Sequence, residues 1–178
     1  MDLEKLKYPI GKVQIPEIIT ETTILRWIEI LELFPKRLEN LVENLSETQL
    51  NTCYRPDGWT IRQVIHHVAD SHHNSYTRFK WTLTEEQPMI KAYYEDRWAE
   101  LFDSKSAPIE LSINTIKALH AKWVYFLKGL SMSDMEHVFI HPEGNEKVSL
   151  KENIGIYAWH CNHHFEHINQ LMIREGWK

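Results

Sequence analysis

Residues 149–175 read SLKENIGIYAWHCNHHFEHINQLMIRE, and this stretch decides the fold. It opens on a capping box, Ser149-Leu150-Lys151-Glu152, in which a hydroxyl and a carboxylate three residues apart satisfy each other's orphan amides at a helix start. Ile156, Tyr157, Ile168 and Leu171 then recur at helical spacing on one face, which predicts a long amphipathic helix. Four of the chain's 11 histidines, His160, His163, His164 and His167, lie inside it. At about 100° per residue they fall within roughly one 100° stripe. A solvent-facing stripe would carry Lys and Glu, and a core stripe Leu and Ile; a ridge of imidazoles is a candidate metal site. Measured from the centre of the apolar face, His164 is nearest, His160 next, then His167, with His163 at the polar margin. His160 and His164 thus form an inward i,i+4 pair whose nitrogens can converge on one ion.

Three other stretches share the helical period. Glu17 to Glu43 carries Ile24, Trp27, Ile28, Leu31 and Leu38, with a bend expected at Pro35, which lacks the N–H of the helical ladder. Thr60-Ile61-Arg62-Gln63 is a second capping box, set just after the Pro56-Asp57-Gly58 turn, and starts a helix to about Leu83. Pro108 suits a first helical position, where a missing donor costs nothing, and Gly129 closes that helix. The remainder predicts an extended arm over residues 1–16, a short turn capped by Ser46 and Gln49, a polar-aromatic loop from Thr84 to Ala107, and an irregular segment from Ser131 to Val148. Together these predict an all-α fold: a single four-helix-bundle domain over residues 1–178, with an extended N-terminal arm and long inter-helix loops. Bundles build metal sites from side chains on facing helices. Leu45-Ser46-Glu47-Thr48-Gln49-Leu50 is echoed by Leu130-Ser131-Met132-Ser133-Asp134-Met135, each followed by a Pro/Gly turn, a hydroxyl cap and a histidine-bearing helix. Taken as a pseudo-twofold repeat, the echo would set the second and fourth long helices face to face.

Composition narrows the function classes. With 178 residues the chain is long enough to bury a sizeable core. Its net charge of −5, without a basic stripe, argues against a nucleic-acid partner. Cys53 and Cys161 form neither a disulfide framework nor a Cys-x-x-Cys pair, which points to a reducing compartment. No basic start leads into an apolar core, and no run approaches roughly 18 consecutive apolar residues. A cytoplasmic location without membrane contact is the expectation.

A metal site needs a third ligand, and the second long helix offers His66, His67, His72 and His73. Ile61, Val64, Ile65, Val68, Tyr76 and Phe79 define an apolar face on which His72 is central, so amphipathicity favours His72. The buried arc of a bundle helix is wide, however, and His67 stays open.

The segment from Tyr54 to His72, then Arg78-Phe79-Lys80 and Leu83-Thr84-Glu85, and finally Tyr157 to Ile168, resemble the YfiT-like branch of the DinB superfamily. Tyr8 to Gly11, Trp98-Ala99-Glu100-Leu101, His141-Pro142 and Gly176-Trp177 agree with that resemblance, which spans almost the whole chain. It implies a four-helix bundle, often a homodimer, holding one divalent metal ion, nickel or zinc, on three histidines. By motif these are His67, His160 and His164, which displaces His72. Asp70, three residues after His67, then becomes a candidate for orienting an imidazole, with His163 and His167 as packing or orienting neighbours.

Neutral imidazoles leave a divalent ion its full charge, so water in an open position would have a pKa near about 7 and a bound thiol would be deprotonated. The first chemistry is the metal-dependent hydrolysis presumed for YfiT-like proteins; the second is thiol S-transfer to an electrophile, as in the bacillithiol S-transferases among similar relatives. Hydrolysis calls for a base beside the metal. Glu166, two residues from His164, points to another face, so the sequence favours the thiol transferase. A metal-binding stress-response module without turnover is the third reading. Arg55, Arg78 and Lys80 are expected at solvated positions, with substrate-anion binding as the alternative; Trp59 reads as a hydrophobic staple and Cys161 as a small packed thiol. Glu85 and Glu86 read as solvent-facing, and His120, His137 and His141 have no spacing partner.

Overall fold

Hydroxyl caps at Thr20, Thr60 and Ser149 start three of the four long helices close to where the sequence places them. A computed structural model describes residues 2–177; Met1 and Lys178, included in the expected domain, lie outside the described residues. In chain order the elements are α1 (Leu3–Lys7), α2 (Glu21–Val42), α3 (Glu47–Leu50), α4 (Ile61–Thr84), α5 (Glu95–Ala99), α6 (Phe102–Ser106), α7 (Ile109–Lys128), α8 (Met132–Met135), β1 (Val138–His141), β2 (Glu146–Ser149) and α9 (Leu150–Arg174). The capping boxes at Ser46, Thr60 and Ser149 all form. At Ser149 the Glu152 carboxylate accepts from both the amide and the hydroxyl, at 2.7 and 2.6 Å.

The helices α2, α4, α7 and α9 form the bundle. Each of α2 and α4 packs against both α7 and α9, so α2 and α4 occupy opposite corners. Two of the three connections between long helices therefore cross a diagonal, and α4 and α9 become neighbours, as the internal echo anticipates. Ile28, Leu31, Phe34 and Leu38 of α2, Val64, Ile65 and Phe79 of α4, Ile116, Trp123 and Leu127 of α7, and Ile154 and Ile168 of α9 fill the interior. Each such side chain stabilises the fold by about 1.5–3 kcal/mol relative to exposure.

The connections hold more structure than the sequence suggests. The arm contains α1, capped by the Asp2 side chain, and the segments read as irregular contain α5, α6, α8 and an antiparallel hairpin. That hairpin pairs Val138 with Ser149 and His141 with Glu146, and turns through Gly144 and Asn145 at positive φ. Elements of four or five residues are too short for periodicity to reveal. Ser149 ends β2 and caps α9, so the hairpin sets where the histidine-bearing helix begins. Pro108 stands at the cap of α7, one place before the expected first helical position.

The arm also closes over α9. A Cβ on Gly155 would lie 2.8 Å from Trp27 Cη2 and 2.9 Å from Ile15 Cδ1. Overpacking of this kind costs about 1–3 kcal/mol, against a gain of roughly 0.5–1 kcal/mol from replacing a mid-helix glycine with alanine. Gly155→Ala should lower Tm by about 2–5 °C in thermal unfolding, since 1 kcal/mol shifts a chain of this size by about 2–4 °C.

Candidate metal centre

His67 on α4 and His160 and His164 on α9 converge, with one potential ligand nitrogen from each lying within 4.8 Å of the others. His67 Nε2 and His160 Nε2 are 3.3 Å apart. A tetrahedral ion with bonds of about 2.0–2.1 Å to nitrogen needs ligand nitrogens about 3.4 Å apart, so this pair already has the spacing of one edge. Burial lowers the basicity of all three: His67 falls to about 4, with repulsion from His167 adding to the effect. His160 and His164 fall well below the usual value, burial again the largest cause and neighbouring imidazoles the next. All three are neutral at pH 7, the state in which an imidazole can bind metal. The donor set and spacing fit one divalent ion.

A second group, His163, His164 and His167, has nitrogens equally close. His163 stacks on Trp159 at 4.2 Å between ring centres and lies near Tyr8 at 5.9 Å. It is buried rather than at the polar margin, because the N-terminal arm covers that flank. Its Nδ1 has no hydrogen-bond partner. His167 Nε2 donates to the Lys7 carbonyl at 2.9 Å, and its Nδ1 lies 3.4 Å from His164 Nδ1.

His72 lies outside both groups, buried, with Nε2 3.0 Å from His160 Nδ1 and Nδ1 2.7 Å from His120 Nε2. His66 turns to Ser112 and the Ala107 carbonyl, and His73 is exposed. Asp70 has Asp103 and His73 as its electrostatic neighbours rather than a site imidazole, and burial followed by Asp103 raises its carboxyl to about 6. Glu166 is hydrogen-bonded to Asn169 and Gln170. Cys161 is fully buried and belongs to neither histidine group, a packed thiol as expected.

His67, His160, His163, His164 and His167 line the floor of an open cavity of about 560 Å³. Its wall includes Tyr54, Trp59, Arg78 and Tyr157. Trp59 packs on His67 at 4.6 Å and Tyr54 stacks on His167 at 4.0 Å, so the tryptophan read as a staple buttresses a candidate ligand. Arg78 is buried, and its Nε lacks a partner. The exposed position expected for it is corrected: α4 carries it inward beside Tyr157. Lys80 does reach solvent, over the rings of Phe126 and Tyr76.

A four-helix bundle that gathers neutral imidazoles from facing helices beneath an open pocket is a scaffold able to accept a divalent metal. Residues 30–168 match the family model of the DinB superfamily, and the chain belongs to that superfamily. It is 51% identical over 171 residues to a protein of Oceanobacillus iheyensis provisionally named a metal-dependent hydrolase, a match covering 96% of this chain and 98% of the relative. A Bacillus cereus protein with the same provisional name is 47% identical over 175 residues, covering 98% and 100%. Among solved structures, the chain is similar to YfiT from Bacillus subtilis, described as a candidate metal-dependent hydrolase with an unusual four-helix bundle topology. The TM-score is 0.96 at 44% identity, covering 98% of this chain and 99% of that one. Among the described residues no helix is long and apolar enough to cross a membrane.

Proposed function

We propose that the chain is a metal-dependent enzyme in which His67, His160 and His164 hold one divalent ion, nickel or zinc, that activates a small nucleophile. The nucleophile is a low-molecular-weight thiol of the bacillithiol type, transferred to an electrophile. The observation that carries this reading is the donor set: three neutral imidazoles at the floor of an open pocket, with no carboxylate among them. When bound, the ion supplies a Lewis acid that acidifies a thiol or water in its open position. The protein's part is to keep the imidazoles unprotonated by burial, to fix their rings against Trp59 and Tyr157, and to bind the rest of the reactants. Among the described residues no carboxylate is hydrogen-bonded to these three imidazoles, which suits a nucleophile that needs no separate base.

Arg78 supports a reactant that carries an anion. A buried guanidinium with an unpaired Nε on a pocket wall recognises a carboxylate or phosphate, and hydrogen bonds to charged groups contribute about 1.5–3 kcal/mol. Arg78→Met should therefore raise KM for an anionic thiol roughly 10–100-fold with little change in kcat, in steady-state kinetics. Lysine, which lacks the planar fork, should restore only part of the loss.

Hydrolysis is the second reading, favoured by the provisional names of the relatives and by Glu95 and Asp96 on the pocket wall. Metal-loaded protein, supplied with a thiol and the electrophile monochlorobimane, should consume thiol. Cleavage of ester or amide substrates without thiol consumption would select the hydrolase instead. Elemental analysis that finds no divalent metal after reconstitution would refute both.

A further inference from the structure

Four hydrogen-bonding groups, one on each long helix, run in series toward the candidate metal centre. The Leu31 carbonyl on α2 accepts from His120 Nδ1 on α7 at 2.7 Å. His120 Nε2 is 2.7 Å from His72 Nδ1 on α4, and His72 Nε2 is 3.0 Å from His160 Nδ1 on α9. We propose that the Leu31 carbonyl, left free by Pro35, acts through His120 and His72 to fix the tautomer of His160, so that its Nε2 lone pair faces His67. The Lys7 carbonyl does the same for His164 through His167. The inference rests on the metal-centre reading for its purpose, but its geometry stands apart from any ion.

The direction follows from one asymmetry: a carbonyl only accepts. His120 must carry its proton on Nδ1 to reach Leu31, which leaves Nε2 bare. The next bond then needs a proton on His72 Nδ1, which leaves His72 Nε2 bare and requires a proton on His160 Nδ1. His160 Nε2 is thus the unprotonated nitrogen, 3.3 Å from His67 Nε2, with the Ser71 hydroxyl at 3.5 Å able to donate to it in the metal-free protein. In the shorter relay His167 donates from Nε2 to Lys7, so its Nδ1 accepts from His164 Nδ1, and His164 Nε2 is free. An imidazole whose other nitrogen is committed in this way is fixed in tautomer and ring orientation.

Both terminal carbonyls are available because of local backbone chemistry. In an α-helix the Leu31 carbonyl would accept from residue 35, but residue 35 is proline and has no N–H. Lys7 is the last residue of α1, and the amide of Gly11, four residues on, bonds to Tyr8 instead. Pro35, His120, His72, Lys7 and His167 are positioning residues on this account.

The test is a long-range proton–nitrogen NMR correlation on metal-free, full-length protein with nitrogen-15 in its imidazoles. His72, His120, His160 and His164 should appear protonated on Nδ1, against the ordinary preference of free imidazole for Nε2, and His167 on Nε2. His160 or His164 protonated on Nε2 would overturn the proposal, whatever the protein binds. In competition titrations with a chelating dye, His120→Leu should weaken zinc binding about 10–100-fold, the usual cost of losing an orienting partner. His120→Gln, whose amide can donate to Leu31 and accept from His72, should recover most of it, and Pro35→Ala should lower affinity by supplying a competing donor. A folded His120→Leu protein with unchanged zinc affinity would also overturn the proposal. Should His120→Leu fail to fold, the tautomers of the unaltered chain still decide the matter. Predicted tautomers in a protein that binds no divalent ion would sink the metal-centre reading and leave the relay standing.

Discussion

Replacing His160 with alanine is expected to remove tight metal binding and, with it, thiol consumption. His160 lies 3.3 Å from His67 through Nε2 and 3.0 Å from His72 through Nδ1, so it joins the candidate ligands to the buried relay. Its loss deletes one of three donors and leaves His72 Nε2 facing a void. The affinity loss should therefore exceed the roughly 10–100-fold that follows from removing an orienting partner alone. Elemental analysis after dialysis, together with the dye competition, gives the magnitude. His167→Ala should weaken binding less than His160→Ala, because it removes an orienting group and no ligand. A His160→Ala protein that retains stoichiometric zinc would refute the assigned ligand set, and the group at His163, His164 and His167 would then be the site to examine.

Metal-free protein should lose stability steeply as pH falls from about 6.5 toward 4. Burial holds His67, His120 and His167 at about 4 and His163 at about 3, against an ordinary value of 6.5. Between those limits the unfolded chain takes up protons that the folded chain refuses, so stability rises with pH across the window. It is complete above about pH 6.5 and declines until the folded values are reached. Each pKa unit corresponds to about 1.4 kcal/mol, and several histidines share the window. Four such histidines together cost roughly 10 kcal/mol by pH 4.5, so at about 2–4 °C per kcal/mol Tm should drop by about 20–40 °C between pH 7 and pH 4.5. Scanning calorimetry with chelator present measures this. A flat Tm over that range would mean that the imidazoles protonate freely inside the fold.

The parts of this architecture that repeat were readable from the sequence. Two capping boxes, at Thr60 and Ser149, and a sustained helical period locate the long helices to within a few residues, because both signals are local. The pairing of His160 with His164 was equally local, a matter of one helical turn. What escaped depends on packing between distant segments. His72 is central on the apolar face of its helix, as periodicity indicates, but centrality there makes it a hydrogen-bond neighbour of His120 and His160 rather than a member of the candidate ligand group. His163 is buried by an arm more than 140 residues earlier in the chain, through Tyr8, and no helical wheel contains that contact. His120 had no spacing partner because its partners are a carbonyl 89 residues before it and an imidazole 48 residues before it. One signal did exist: a proline inside a long helix releases the carbonyl four residues earlier, and that carbonyl must find a donor if buried.

The distribution of the relay over all four long helices bears on how the protein acquires metal in a cell. Leu31, His72, His120 and His160 belong to α2, α4, α7 and α9, and His67 meets His160 across 93 residues of chain. Contacts of such long sequence separation form late, after the entropy of closing large loops has been overcome. A nascent chain still lacking α9 has neither His160 nor His164 and no completed relay to orient them. With the proposed ligand set, loading would be an event of the finished polypeptide, and metal supply during synthesis should influence the occupancy of the folded protein rather than the course of its folding.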